Sequence, residues 1–186
     1  MRKNFGAKPM LYPMPVLIIA TYDENGTPDA MNAAWGGIAE EDQIFICLDA
    51  SHKTTKNILQ RKAFTVSIAD AAHTVECDYV GIVSANDVPD KLAKCGLHTT
   101  KSALVDAPVI DELPMALECM LISYDEGSCH LFGKIVNVSA DESVLNENGK
   151  IDAAKLRPIT YDPVNHEYLE LGAKAGNAFK DGLKYR

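Results

Sequence analysis

The sequence predicts a mainly β fold (α+β), a β-barrel with short helices at its periphery, and three observations carry that expectation. Short apolar runs with period-two character recur along the chain, clusters of turn residues separate them, and a few short helical stretches lie between strands. Strands and helices alternate too irregularly for a doubly wound parallel sheet.

Met14 to Tyr22 is an apolar run rich in β-branched residues and reads as a buried strand. Asp23-Glu24-Asn25-Gly26-Thr27-Pro28 is turn chemistry, with Asn-Gly supplying positive φ at little cost. Ala30 to Trp35 returns as a second strand, so residues 14–35 are expected to form a hairpin. Gln43 to Asp49 is a third strand. Ser51 is placed as the N-cap of a helix running through Arg61, its hydroxyl accepting a free backbone N–H. Ala63 to Ala69 alternates as a half-buried strand should.

The period is less regular from Ala72 to Gly96, where short helices are expected; the better of them, Val88 to Cys95, is stopped by Gly96. Met115 to Tyr124 and Cys129 to Val138 are two further strands joined by Asp125-Glu126-Gly127-Ser128. Gly149 to Arg157 reads as a polar connection with one helical turn. The tail from Tyr161 to Arg186 is glycine-spotted and reads as irregular, of a kind that could wrap a neighbour. No repeat, low-complexity tract or linker-like shift divides the chain, so residues 1–186 are expected to be one domain.

With 47% apolar and 24% charged residues, a chain of 186 residues can bury a core without metal or disulfide staples. A net charge of -8 argues against a nucleic-acid backbone or an anionic membrane surface as partner. The five cysteines are odd in number, widely spaced and without a C-x-x-C pair, which argues against a disulfide framework or a zinc site. No apolar stretch suits a signal peptide after Met1-Arg2-Lys3, and none approaches a membrane span, so a cytoplasmic location is expected.

Familiar catalytic signatures are missing. No G-x-G-x-x-G follows a strand, Gly127 and Gly133-Lys134 have the wrong spacing for a P-loop, and no G-x-S-x-G elbow occurs. The five histidines show no paired metal spacing. Cys77, between Glu76 and Asp78, should have a raised thiol pKa and is a poor nucleophile.

Two segments and two single residues remain. Ser51-His52-Lys53-Thr54-Thr55 opens a helix, where unpaired N–H groups, hydroxyls and a lysine suit a phosphate. An ordinary capped surface helix explains the same residues. Met31-Asn32-Ala33-Ala34-Trp35, followed by Gly36-Gly37, sets small residues beside the sole tryptophan and would let a flat ligand approach the backbone. A core tryptophan beside a Gly-Gly bend is the plainer alternative. Lys91 could reach a phosphate or be a solvated helix lysine, and His130 could face a pocket or solvent.

Taken in order, these segments resemble one family. Leu11-Tyr12-Pro13-Met14-Pro15-Val16, Gly26-Thr27-Pro28-Asp29-Ala30-Met31, Ala34-Trp35-Gly36-Gly37 and Ser51-His52-Lys53-Thr54 with Asn57-Ile58 are similar to the flavoredoxin, flavin reductase-like family. So are Asp78-Tyr79-Val80-Gly81-Ile82-Val83-Ser84, Asp90-Lys91, Gly96-Leu97, Ala107-Pro108 and Leu117-Glu118-Cys119. The resemblance implies an FMN-binding split β-barrel, working as a homodimer with each flavin near the subunit interface. It places flavin contacts on Met31 to Trp35, phosphate contacts on Ser51 to Thr55, and further contacts on Lys91, His130 and a C-terminal aromatic, Tyr161 or Tyr168.

The function implied is electron transfer or NAD(P)H-dependent flavin reduction, with a nicotinamide or a redox protein as partner and no catalytic side chain required. A non-catalytic barrel binding another flat or anionic ligand is the alternative. Two departures motivate it: Asp29 stands where the family often has Asn, and Ala85-Asn86 where a Gly-Arg or Gly-Lys is usual.

Overall fold

The computed structural model describes residues 1–186. In chain order the elements are β1 (Met14–Pro15), β2 (Leu17–Tyr22), β3 (Pro28–Ala33), β4 (Gly36–Glu40), β5 (Gln43–Cys47), α1 (Lys53–Arg61), β6 (Ala63–Ile68), α2 (Thr74–Ile82) and α3 (Lys91–Lys94). There follow β7 (Thr99–Lys101), β8 (Pro108–Ile110), β9 (Met115–Asp125), β10 (His130–Ala140), α4 (Ala153–Leu156), β11 (Ile159–Asp162) and β12 (Glu167–Glu170).

Seven strands form one antiparallel sheet in the order β3-β2-β6-β9-β10-β5-β4. Its two edges, β3 and β4, are consecutive in the chain and joined only by Ala34 and Trp35. Three peptide steps reach at most about 11 Å, so the sheet must curl until its edges meet at this linker. No ladder closes the seam between β3 and β4. The architecture is therefore a split barrel, with Trp35 on the split.

The curl gives β2 two buried faces. Leu17 and Ile19 pack inside the barrel with Ile44, Ile46, Phe64, Val66 and Leu131. Val16, Ile18 and Ala20 pack outside it with Cys77 and Val80 of α2, Leu92 of α3, and Leu97 and Ile110. Each such aliphatic side chain contributes roughly 1.5–3 kcal/mol by leaving water, and the same burial seats α2 and α3 against the β2–β3 hairpin.

The predicted hairpin forms between β2 and β3, with Gly26 at φ +84° and the Asp23 carboxylate accepting the N–H groups of Asn25 and Thr27, each at 2.9 Å. Gly96 ends α3 at φ +75°, and the Leu97 N–H returns to the Leu92 carbonyl at 2.9 Å. Elsewhere the structure differs. The segment from Val88 to Cys95 narrows to the four residues of α3. The N-cap of α1 is His52 rather than Ser51, and no side chain caps it. β6 is buried on both faces, because Thr65 and Ser67 lie away from the barrel interior and Thr65 donates to the Pro108 carbonyl. The start of the tail is ordered: β11 and β12 form a hairpin that pairs with β1. No helix is long and apolar enough to cross a membrane.

Candidate functional site

The first turn of α1 faces a cavity of about 250 Å³, lined by Met31 and Asn32 of β3, the N-cap residue His52, Lys53 and Thr54 of α1, Val80 to Ala85 at the end of α2, and Lys91. Because no side chain caps α1, the N–H groups of Lys53, Thr54 and Thr55 have no acceptor in the chain. Three unpaired donors at the positive end of a helix dipole make a ready anion site. The Lys53 ammonium lies 3.6 Å from Asp23 and stays partly accessible.

Beneath this cavity sits a buried polar cluster. Asp29 is 2% exposed and accepts hydrogen bonds from Thr54 Oγ1 at 2.7 Å and Asn57 Nδ2 at 3.3 Å. Lys91 is 3% exposed, with Nζ 3.5 Å from Asp29 Oδ1. Its Nζ also donates to the carbonyls of Val80 at 3.1 Å and Val83 at 2.9 Å, at the end of α2. Burial lowers the Lys91 pKa, and Asp29 opposes that shift.

A second cavity of about 260 Å³ shares Asn32, Gly81 and Ile82 with the first, and adds Ala33, Ala34, Asp78, Tyr161 and Tyr168. Gly81 is required where the two meet: a Cβ there would lie 2.8 Å from Asn32 Cβ. Asn32 Nδ2 donates to the Cys77 carbonyl at 3.1 Å and to the Tyr168 hydroxyl at 3.3 Å. Burial, then the bond to Asp78, raises the Tyr168 pKa strongly, so the phenol stays a proton donor. Tyr161 lies beside Tyr168, ring centroids 6.1 Å apart, with its hydroxyl 2.7 Å from His166 Nδ1.

Ala34 links this cavity to a third, of about 510 Å³, between the segment Lys8–Pro15 and Trp35, Gly36, Gly37, Ile38 and Phe45. Trp35 is 54% exposed there, not a core residue. Phe45 meets His130 edge to face, centroids 4.9 Å apart, while His130 itself is exposed and lines none of the three cavities.

The structure thus brings together Met31, Asn32, His52, Lys53, Thr54 and Lys91 at one end, and Asn32, Ala33, Ala34 and Tyr161 in the middle. Ser51 is exposed and lines neither cavity, and its N–H is taken by Asp49 at 2.8 Å. Thr55 is fully buried, its hydroxyl unpaired. Asp78 and Gly81 also line the second cavity, although the sequence patterns do not mark them as contacts; a glycine inside a helical pattern is the one signal present. The Cys77 thiol is pushed up to about 12, chiefly by burial and then by Asp70 and Glu76.

A family model described as "Flavin reductase like domain" matches residues 10–163. Flavoredoxin of Desulfovibrio vulgaris (Miyazaki F) has a structure similar to this chain, with a TM-score of 0.94 at 38% identity over 98% of this chain and 100% of that one. Flavoredoxin from Methanosarcina acetivorans gives 0.89 at 23% identity over 100% of both chains. The FMN-binding domain of a flavin reductases-like enzyme from Shewanella baltica OS155 gives 0.78 at 22% identity over 88% of each. The last two likenesses show the fold.

Proposed function

The chain belongs to the flavin reductase-like family, and on that premise we propose that it binds FMN along the trough formed by the first two cavities and transfers electrons. The observation that carries the reading is the uncapped N-terminus of α1, whose three free N–H groups and Lys53 meet a cavity continuous with an aromatic, small-residue slot. The donor set fits a phosphate, and the slot floored by Asn32 to Ala34 and Gly81 fits a flat ring that no larger residue would admit.

A bound flavin would supply the redox chemistry. The chain's own work is to hold and orient it. His52, Lys53 and the α1 N–H groups would hold the phosphate end. Asn32, fixed by the Cys77 carbonyl and Tyr168, would present the polar edge of β3 to the ring. Asp78 would disfavour an anionic group in the slot, so charge alone would set which end of the ligand lies at α1.

Each of the two trough cavities, at about 250 and 260 Å³, is below the roughly 300–1,000 Å³ of an enclosing ligand site, which supports a site completed by a second copy of the chain. Leu11, Trp35 and Ile38 are all exposed around the third cavity, on the edge strand β4 or beside it. An apolar patch of this kind suits an isologous homodimer seated over the split. Residues 1–186 would then act as one flavin-binding domain.

Absorbance of the freshly purified protein, followed by anaerobic addition of NADH and then NADPH, tests the role. Flavin bands that bleach identify an NAD(P)H-dependent flavin reductase. Bands that stay oxidised until a reduced redox protein is added identify a flavoredoxin-type carrier. A protein without flavin bands that ignores added FMN would contradict both.

A further inference from the structure

We propose that Lys91 is a positioning residue: with Asp29 it forms a charge-neutral clamp that fixes the start of α1 and the end of α2 relative to each other, and it does not serve as the counter-ion of a bound phosphate.

The inference rests on the flavin reading of the trough and assigns Lys91 a role different from a direct flavin contact. An ammonium has three N–H donors. Two are spent on the Val80 and Val83 carbonyls, and Nζ also lies 3.5 Å from Asp29 Oδ1, an ion-pair contact to an oxygen that accepts no hydrogen bond. With two donors spent and the ammonium buried against a buried carboxylate, its charge is balanced inside the protein and not by a ligand in the cavity. The carboxylate's other oxygen is spent on Thr54 Oγ1 and Asn57 Nδ2, both on α1.

The two residues therefore join four elements, β3, α1, α2 and α3. Asp29 lies on β3, two residues before Met31 and three before Asn32, both of which line the cavity. Through Thr54 it holds the turn that carries the free N–H groups, and through Lys91 it holds the carbonyls of the segment that forms the opposite wall. A carboxylate at position 29 is thus neutralised within the protein and is not an unbalanced charge beside a phosphate. With the pair neutral, an anion at α1 meets only the helix N-terminus, His52 and Lys53.

The test compares FMN with riboflavin, which lacks the phosphate, as ligands of Lys91→Met and of the double variant Asp29→Asn/Lys91→Gln. A clamp orders the site for either ligand, so both affinities should fall by a similar factor, about tenfold, leaving their ratio unchanged. The double variant removes both charges together and keeps the comparison possible if the single variant does not fold. A loss confined to FMN, with riboflavin unaffected, would overturn the clamp and make Lys91 the phosphate's counter-ion.

If the unmodified protein binds neither ligand, the flavin reading fails, and the clamp is then judged on stability alone. Urea unfolding of Asp29→Asn, Lys91→Gln and the double variant should show the double variant no less stable than the worse single one. Additive losses would overturn the clamp.

Discussion

The Tyr168 hydroxyl donates to Asp78 Oδ1 at 2.8 Å, latching the β11–β12 hairpin to α2 across the middle cavity. The same oxygen accepts from Asn32 Nδ2, so one phenol joins the C-terminal hairpin, the second helix and the edge strand of the barrel. Tyr168→Phe keeps the ring and removes the latch. It leaves the half-buried Asn32 and Asp78 with a partner fewer, and a loss of about 1–3 kcal/mol is expected in urea unfolding. Weaker FMN binding should accompany it, because Asn32 is no longer oriented.

The pH dependence of stability follows from two shifts of opposite kind. Tyr168 has a raised pKa, so in alkali the unfolded chain ionises first while the folded one keeps its proton; its contribution is whole below about pH 10 and is lost as pH rises further. Asp162 is the reverse: the Tyr12 hydroxyl, the Val164 N–H and the Asn165 amide hold its carboxyl at about 2, against an ordinary 3.8. Its contribution is present above the ordinary value and is lost as pH falls toward 2. Thermal melts across pH should show Tyr168→Phe flattening the alkaline limb and Asp162→Asn flattening the acid one.

Gly81→Ala tests the slot. The added methyl would sit 2.8 Å from Asn32 Cβ, and pushing Asn32 aside disturbs both cavities at once. A stability loss of about 1–3 kcal/mol is expected from overpacking, with FMN affinity reduced. Unchanged affinity in a correctly folded variant would remove Gly81 from the site.

Much of this fold was legible because its determinants are local. Asn25-Gly26 names its own turn, Gly96 its own helix stop, and β9 and β10 carry their alternation through a short connection. What escaped depends on distant partners. Gly36-Gly37 reads as a bend, yet it starts β4, because β5 pairs with it and the sheet edge needs close backbone approach: a Cβ at Gly36 would lie 2.8 Å from the Phe45 carbonyl. The hairpin of β11 and β12 looked irregular because its hydrogen-bonding partner, β1, lies some 145 residues earlier.

The site was legible to the same degree. Ordered motifs named Met31, Asn32 and His52 to Thr54, and the structure brings these residues together along one cavity. They could not tell that Ser51 points to solvent or that Thr55 is interior, since helical phase depends on which face packs against β2. Nor could they show Lys91 to be buried, because the partner that balances its charge, Asp29, is 62 residues away in sequence.

Lys53 is the accessible cation at the anion end. Lys53→Gln should weaken FMN by about two- to fivefold, a solvent-screened effect, while riboflavin is unaffected. Titrations at low and high salt check it: the difference between variant and unmodified protein should shrink as salt rises.

The most direct test of the central claim is an equilibrium titration of flavin-free protein with FMN and with riboflavin, followed by quenching of flavin fluorescence. A trough with its phosphate end at α1 should bind FMN saturably and prefer it to riboflavin by about tenfold or more. Equal binding of the two would contradict the assignment of the phosphate to α1, and no saturable binding of either would contradict the flavin site itself.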